Sequence, residues 1–471
     1  MRSRFSPRHL ARFTAAALIG AVLSAPPSSL AAPDSERRPN IVVIVADDLG
    51  YGDLGIHGGD DVPTPNIDSL ARDGVRCTDG YVSCPVCSPT RAGLLTGRYQ
   101  QRFGHEFNPG PGRRQGDGDG FGLPLDQVTL ANLLKQAGYR TGLVGKWHLG
   151  YAPDFRPQRR GFDEFFGFLG GAHKYFPGSD GERGPIYRGA EVVDEQEYLT
   201  DAFGREAVAF VERHAHEPFF LFLTFNAVHN PLEATDKYLD RFPSISEAKR
   251  KPYAAMLSAL DDNVGRVLDT LHDKQLDEHT LVFFISDNGG PTQGNGSRNT
   301  PLRGDKGTVW EGGIRVPYLV RWKGHLPPGK VYAEPVISLD ILPTAAAVAG
   351  ATIPPGNNLD GVDLLPYLTG QKSGSPHERL YWRFGPQHAV RQANFKLVKT
   401  RDGEPQLFDL AKDVSEQNNL AASRQDVLQQ LTAAFATWNG ELAQPRWEPQ
   451  GGRRAGQPGA RRAGRKNAAE N

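Results

Sequence analysis

The sequence predicts an α/β fold: a large central, mostly parallel sheet flanked by helices, followed by a smaller C-terminal α+β subdomain carrying an antiparallel sheet. Three observations predict it. Four near-continuous apolar runs, rich in β-branched and aromatic residues, stop abruptly at polar side chains, as strands buried on both faces do. Segments with a one-sided apolar stripe lie between them. Past residue 361 the pattern changes to short alternating stretches and one closing helical segment.

In chain order, the first run is "NIVVIVADDLG", ending at Asp47 and Asp48. "TLANLLKQAGY" reads as a helix with Thr129 as its cap and Gly138 as its stop. "YRTGLVGKWHLG" ends at Lys146 and His148, "PFFLFLTFNAVHNPL" runs to His229, and "HTLVFFISDNGG" runs to Asp287 and Asn288. Between the last two, Met256, Leu260, Val264, Val267, Leu268 and Leu271 form one helical stripe. "RLYWRF", "HAVRQANFKLVKT" and "QLFDL" read as short antiparallel strands, and "QDVLQQLTAAFATW" as the closing helix. Taken singly, "DD" or "DNGG" after a strand is an ordinary turn or cap. Their recurrence at the same end of strand after strand is not what turns produce. Parallel strands deliver their C-terminal ends to one edge, where open α/β sheets bind ligands.

The two ends of the chain read differently. Residues 1–31 have a positive start, a short apolar core and small residues near Ala31, the pattern of a secretory signal. Export to the periplasm or outside the cell is therefore expected, with no integral membrane segment after signal cleavage. Residues 39–360 are expected to form the main domain, 361–445 the subdomain, and 446–471 a disordered, solvated basic tail. With 54 basic and 54 acidic residues, no global field attracts nucleic acid.

The chain's three cysteines are clustered at Cys77, Cys84 and Cys87, the last two within "SCPVCSPTRAGLLTG". A redox pair is expected in a much smaller thioredoxin-like unit, and a zinc site lacks its second ligand pair. A disulfide between Cys77 and Cys84 stays open. Ser88 is read as the cap of a helix through "TRAGLLTG", with Pro89 in its first turn and its N-terminus facing an anion.

Cys87-Ser-Pro-Thr-Arg91 followed by "AGLLTG" matches the C-x-P-x-R-x-x-x-x-T-G signature of the sulfatase family, and "GYRTGLVGKWHLG" matches its second signature. The resemblance, to exported enzymes of the arylsulfatase and N-acetylgalactosamine-6-sulfatase type, extends through "VHNPL", "SDNGG" and "LRGDKGTVWEGGIRVP". It implies an alkaline-phosphatase-like fold. It also implies that a formylglycine-generating maturation enzyme oxidises Cys87 to Cα-formylglycine, whose hydrate attacks the sulfate ester.

By the same resemblance, Asp47, Asp48, Asp287 and Asn288, with the modified Cys87, hold one divalent cation, Ca2+ or alternatively Mg2+. Asp287 doubles as the base. Arg91 and Lys146 steady the nucleophile, Lys146 and Lys306 hold sulfate oxygens, His148 assists release, and His229 protonates the leaving alcohol. Glu311 is read as holding loop geometry. His173 and Lys174, in the aromatic stretch "RGFDEFFGFLGGAHKYFPG", are candidates to contact a sugar. The implied substrate is a sulfated carbohydrate or aryl sulfate. The alternatives are a phosphonate or phosphate ester hydrolase on the same fold, or an inactive glycan-binding relative.

Overall fold

The four apolar runs become four adjacent parallel strands: Thr280–Ser286, Asn40–Ala46, Phe219–Thr224 and Arg140–Lys146, in that spatial order. The structure is a computed structural model that describes residues 38–109, 121–177 and 184–448. The expected signal segment, and the tail from residue 449 onward, lie outside the described residues. Among the described residues no helix is long and apolar enough to cross a membrane.

Among the described residues the full sheet has ten strands. Glu164–Phe168 extends the parallel centre, and antiparallel Tyr318–Arg321 closes its other side. Side chains of the central strands are buried on both faces, which explains why their sequences show no alternation. One face packs on the helices Leu199–Arg213 and Arg250–Asp273, whose stripe from Met256 to Leu271 is buried as its spacing requires. The other face packs on Cys87–Thr96, Leu130–Gln136 and Ile341–Ala349. Thr129 does cap its helix, accepting from the Asn132 N–H at 3.1 Å, and Gly138 leaves it at φ +82°.

One glycine decides how a strand delivers its last residue. Gly145 has φ +115°, and a Cβ there would sit 1.9 Å from the Thr224 carbonyl oxygen. Only glycine allows that approach one residue before Lys146.

The C-terminal strands Arg379–Phe384, Gln387–Gln392, Phe395–Lys399 and Gln406–Asp409 form a separate antiparallel sheet in sequential order, with helix Gln425–Gly440 against it. Trp382 seats this sheet on the rest of the chain: its ring lies 5.2 Å from that of Tyr81, and its Nε1–H donates to the Val82 carbonyl. Beneath it lies a buried charge lattice. Lys396 Nζ contacts Glu311 at 2.7 Å and Glu416 at 2.9 Å, and all three side chains are fully buried. Glu311 also accepts from Tyr81 OH at 2.7 Å and pairs with Arg315. Glu311 thus holds structure, as its sequence context suggested.

Removing one partner from such a lattice leaves buried charge without compensation. Lys396→Met, which leaves Glu311 and Glu416 facing each other, is expected to cost about 3–5 kcal/mol. Urea denaturation should show a lower midpoint at an unchanged slope.

Candidate active site

Each predicted polar residue sits at or just beyond the end of its strand. Asp47 and Asp48 follow Asn40–Ala46, and Asp287 and Asn288 follow Thr280–Ser286. Lys146 ends its own strand, with His148 two residues later, and His229 lies five residues after Thr224. Cys87 is the first residue of the Cys87–Thr96 helix, and Lys306 comes from the loop before Glu311–Ile314. Asp48 and His148 hold left-handed backbone conformations, φ +63° and +59°. Such strain in non-glycine residues collects at functional sites.

Three ion pairs converge here. Lys146 Nζ lies 2.5 Å from Asp47 Oδ2, and Lys306 Nζ 2.6 Å from Asp48 Oδ1. Arg91 Nε and Nη2 both donate to Asp287 Oδ2, at 3.0 and 2.8 Å, while its Nη1 donates to the Lys146 carbonyl. The Cys87 sulfur stands among them, 3.2 Å from Lys306 Nζ and 3.7 Å from Asp47 Oδ1.

Burial and neighbouring charge set the protonation states. Burial alone would raise Asp47, but Lys146, His229, Arg91 and Lys306 carry it below the ordinary carboxylate range. Asp287 moves upward, through burial and the adjacent Asp47 charge, against the pull of Arg91. Burial pushes the Cys87 thiol up to about 12 despite Lys146 and Lys306, so as a thiol it is protonated and a poor nucleophile near neutral pH. Burial lowers His148 well below its ordinary value, helped by Lys146 and Arg91. His229 is lowered by burial against the pull of Asp47 and Asp48, and its Nδ1 donates to the Asn230 carbonyl at 2.7 Å. That bond leaves Nε2 of the neutral ring as a lone pair facing Asp48, 3.6 Å away.

The donor set fits a hard cation. One ligand atom each from Asp47, Asp48, Cys87 and His229 lies within 4.8 Å of the others. Asn288 Oδ1 is buried with no hydrogen-bond partner among the described residues, as an oxygen reserved for a metal would be. Clustered carboxylate and amide oxygens suit calcium or magnesium.

Several readings change. Ser88 does not cap its helix: Val86 is the cap residue, and the Ser88 N–H donates instead to Asn108 Oδ1 at 3.0 Å. The Ser88 hydroxyl donates to the His148 carbonyl at 2.7 Å and therefore accepts from His105 Nε2, also at 2.7 Å. Cys77 and Cys84 are buried free thiols, not a disulfide. His173 is 3% exposed, with both ring nitrogens against main-chain oxygens of Lys174 and Gly184, so its ring secures its own loop. Lys174 lines a cleft of about 540 Å³ with Phe176, Asp194 and Glu195. That loop does reach the site: a Cβ on Gly171 would lie 2.6 Å from His148 Nε2. Arg446 and Trp447, assigned from sequence to the tail, are ordered, and the Trp447 indole packs on His105 at 4.7 Å. His105 and Asn108 carry no motif; they follow the signature within "RFGHEFNP", and only the fold shows their use.

Residues 39–351 match the sulfatase family. The chain belongs to that family. As a sulfatase it is a sulfuric ester hydrolase, and the C-terminal region of N-sulphoglucosamine sulphohydrolases matches residues 304–439. Human arylsulfatase A is 37% identical over 84% of the chain and 86% of that enzyme. Human N-acetylgalactosamine-6-sulfatase is 36% identical over 72% of the chain and 67% of that enzyme. Among solved structures, Ps i-CgsB in complex with k-i-k-neocarrahexaose superposes with a TM-score of 0.83 at 39% identity, covering 87% of this chain and 95% of that one. A phosphonate monoester hydrolase from Silicibacter pomeroyi, at 22% identity and a TM-score of 0.63, shares the fold.

Burial holds the His105 ring neutral in this sulfatase, with its pKa lowered from 6.5 to about 3. Between those values the unfolded chain binds a proton there that the folded chain does not, so folded stability falls as pH drops below 6.5. The contribution approaches about 1.4 kcal/mol per pH unit within that window. His105→Gln, which keeps a donor for Ser88 but cannot titrate, should give a shallower decline in denaturation midpoint from pH 7 to pH 4.

Proposed function

We propose that this sulfatase cleaves sulfate from a sulfated oligosaccharide or polysaccharide, through a formylglycine made from Cys87 by a maturation enzyme. The observation that carries this reading is the position of Cys87: a thiol held protonated at a helix N-terminus, with Lys306, Lys146 and Asp47 around its sulfur. Its Sγ stands in for a hydroxyl of the aldehyde hydrate, the better nucleophile in this setting.

Asp47, Asp48, Asp287 and Asn288 would hold one divalent cation, and His229 borders the same site. Calcium is proposed ahead of magnesium, which sheds its water reluctantly. When bound it supplies Lewis acidity and lowers the cost of gathering these carboxylates. The chain's own groups do the rest. Asp287, raised toward neutrality, takes the proton of the attacking hydroxyl. Lys146 and Lys306 grip the sulfate oxygens in a water-poor pocket, where such contacts are strong. His229, whose pKa rises as an anion arrives, donates to the departing alcohol. His148 takes the proton of the second hydroxyl, which collapses to the aldehyde and expels sulfate, so no water attacks a crowded sulfur.

The glycan substrate is supported by Ps i-CgsB, the solved relative bound to an oligosaccharide. The cleft at Lys174 and Phe176 offers space for sugars beside the loop that touches His148. Export is part of the proposal and rests on residues 1–31 of the sequence.

Mass spectrometry of the peptide bearing residue 87 should show a decrease of about 18 Da, the change from thiol to aldehyde. Cys87→Ala should fold normally and lose all turnover of p-nitrophenyl sulfate; unchanged turnover contradicts the mechanism. Treatment with EGTA should abolish activity, and added calcium should restore it more fully than magnesium.

A further inference from the structure

We propose that Asn226 is a substrate-contacting residue, its side-chain amide donating from Nδ2 to an oxygen of the bound tetrahedral sulfate group. The inference rests on the sulfatase reading above and assigns that site a further residue. Asn226 is 1% exposed, yet neither Nδ2 nor Oδ1 has a hydrogen-bond partner among the described residues. Its main-chain carbonyl is engaged twice, accepting from Tyr175 OH at 2.6 Å and from the His229 N–H at 2.8 Å. A buried amide with both polar atoms unpaired is costly in a folded protein, and a functional role is one reason to keep one.

Sheet register says where the amide lies. Val45 pairs with Thr224, the last residue of its strand, and each chain runs two residues further to Asp47 and Asn226. Past the strand end the regular register is lost, but the segment stays against Asp47, whose N–H donates to the Ala227 carbonyl and whose carbonyl accepts from the Val228 N–H. Alternation along the strand puts Asn226 on the face of Phe220 and Phe222. These share one buried cluster with Ala92, Leu94 and Leu95 of the Cys87–Thr96 helix, whereas Phe225 and Ala227 belong to the cluster on the opposite face. Asn226 therefore flanks Asp47, which itself touches both Cys87 and Lys146.

The residue type suits the place. Asp47, Asp48 and Asp287 already crowd this edge, and a further carboxylate would repel an incoming anion. A carboxamide offers a donor without charge, and its Oδ1 can accept from a water or hydroxyl entering with the substrate. Two other buried atoms at the site, His148 Nδ1 and Asn288 Oδ1, are also unpaired, and the catalytic and cation roles account for them. Asn226 has no such role in the scheme above.

Two near-isosteric variants test the assignment, N226L and N226D. The readouts are KM and kcat for p-nitrophenyl sulfate, the inhibition constant of inorganic sulfate, the mass at residue 87, and the unfolding temperature without sulfate. With residue 87 converted as in wild type, N226D should raise both KM and the sulfate inhibition constant by about tenfold or more. N226L should raise the sulfate constant less while unfolding no lower than wild type, because no internal hydrogen bond is lost. Sulfate constants unchanged in both variants, beside an active wild type, overturn this inference alone. A wild type that turns over no sulfate ester overturns the functional reading and this inference together.

Discussion

Lys146 with Asp47, Lys306 with Asp48, and Arg91 with Asp287 form three opposite-charge pairs around one sulfur atom, in a space nearly closed to water. Each charge would be expensive to bury alone, and each is tolerable only while its partner stays within reach. No two partners are near in sequence, so the pairs exist only if separate segments end at the same height. The parallel register meets that condition: Asn40–Ala46 hydrogen-bonds to both Phe219–Thr224 and Thr280–Ser286, and Arg140–Lys146 lies one strand further. The sheet is thus a ruler that sets where charges may stand. Burial in that space in turn keeps Cys87 protonated and inert as a thiol, against the pull of Lys146 and Lys306.

The smaller sheet takes part in this arrangement. Gln387 Nε2 donates to the Gly307 carbonyl at 3.0 Å, next to Lys306, and the Gly307 N–H donates to the Pro85 carbonyl at 2.9 Å. The lysine that touches Cys87 is therefore tied both to the C-terminal sheet and to the segment before Cys87. The lattice of Glu311, Lys396 and Glu416 closes the same loop from beneath. On the other side, Trp447 covers His105, which binds Ser88, which fixes the carbonyl of His148. Both supports reach across more than two hundred residues of chain, so damage far from Cys87 in sequence can still misplace the groups beside it.

Much of this was legible without coordinates. Apolar runs without alternation mean strands covered on both faces, because only such strands need no polar side. Polar residues at run ends mark the sheet edge, and Asp47, Asp48, Lys146, His229 and Asp287 were found that way. The two signatures pointed to the family. The helix start was misjudged by two positions because Ser88 is a good cap by type, yet its hydroxyl is taken by the His148 carbonyl and its amide by Asn108. His173 was read as a sugar contact from its aromatic, glycine-rich stretch; it lines the same cleft as Lys174, with main-chain oxygens against both ring nitrogens.

The sequence by itself determined the strand and helix segments, the residues available for chemistry, and the order in which the chain presents them, since these follow from local pattern and side-chain type. The tertiary structure alone decided which strands became neighbours and which acid faces which base. It decided likewise that His105 stands behind Ser88 and that the segment after Asn226 lies against Asp47. The physical reason is range: periodicity and propensity act over a few residues, whereas burial and charge pairing depend on distances in space that only the closed fold sets.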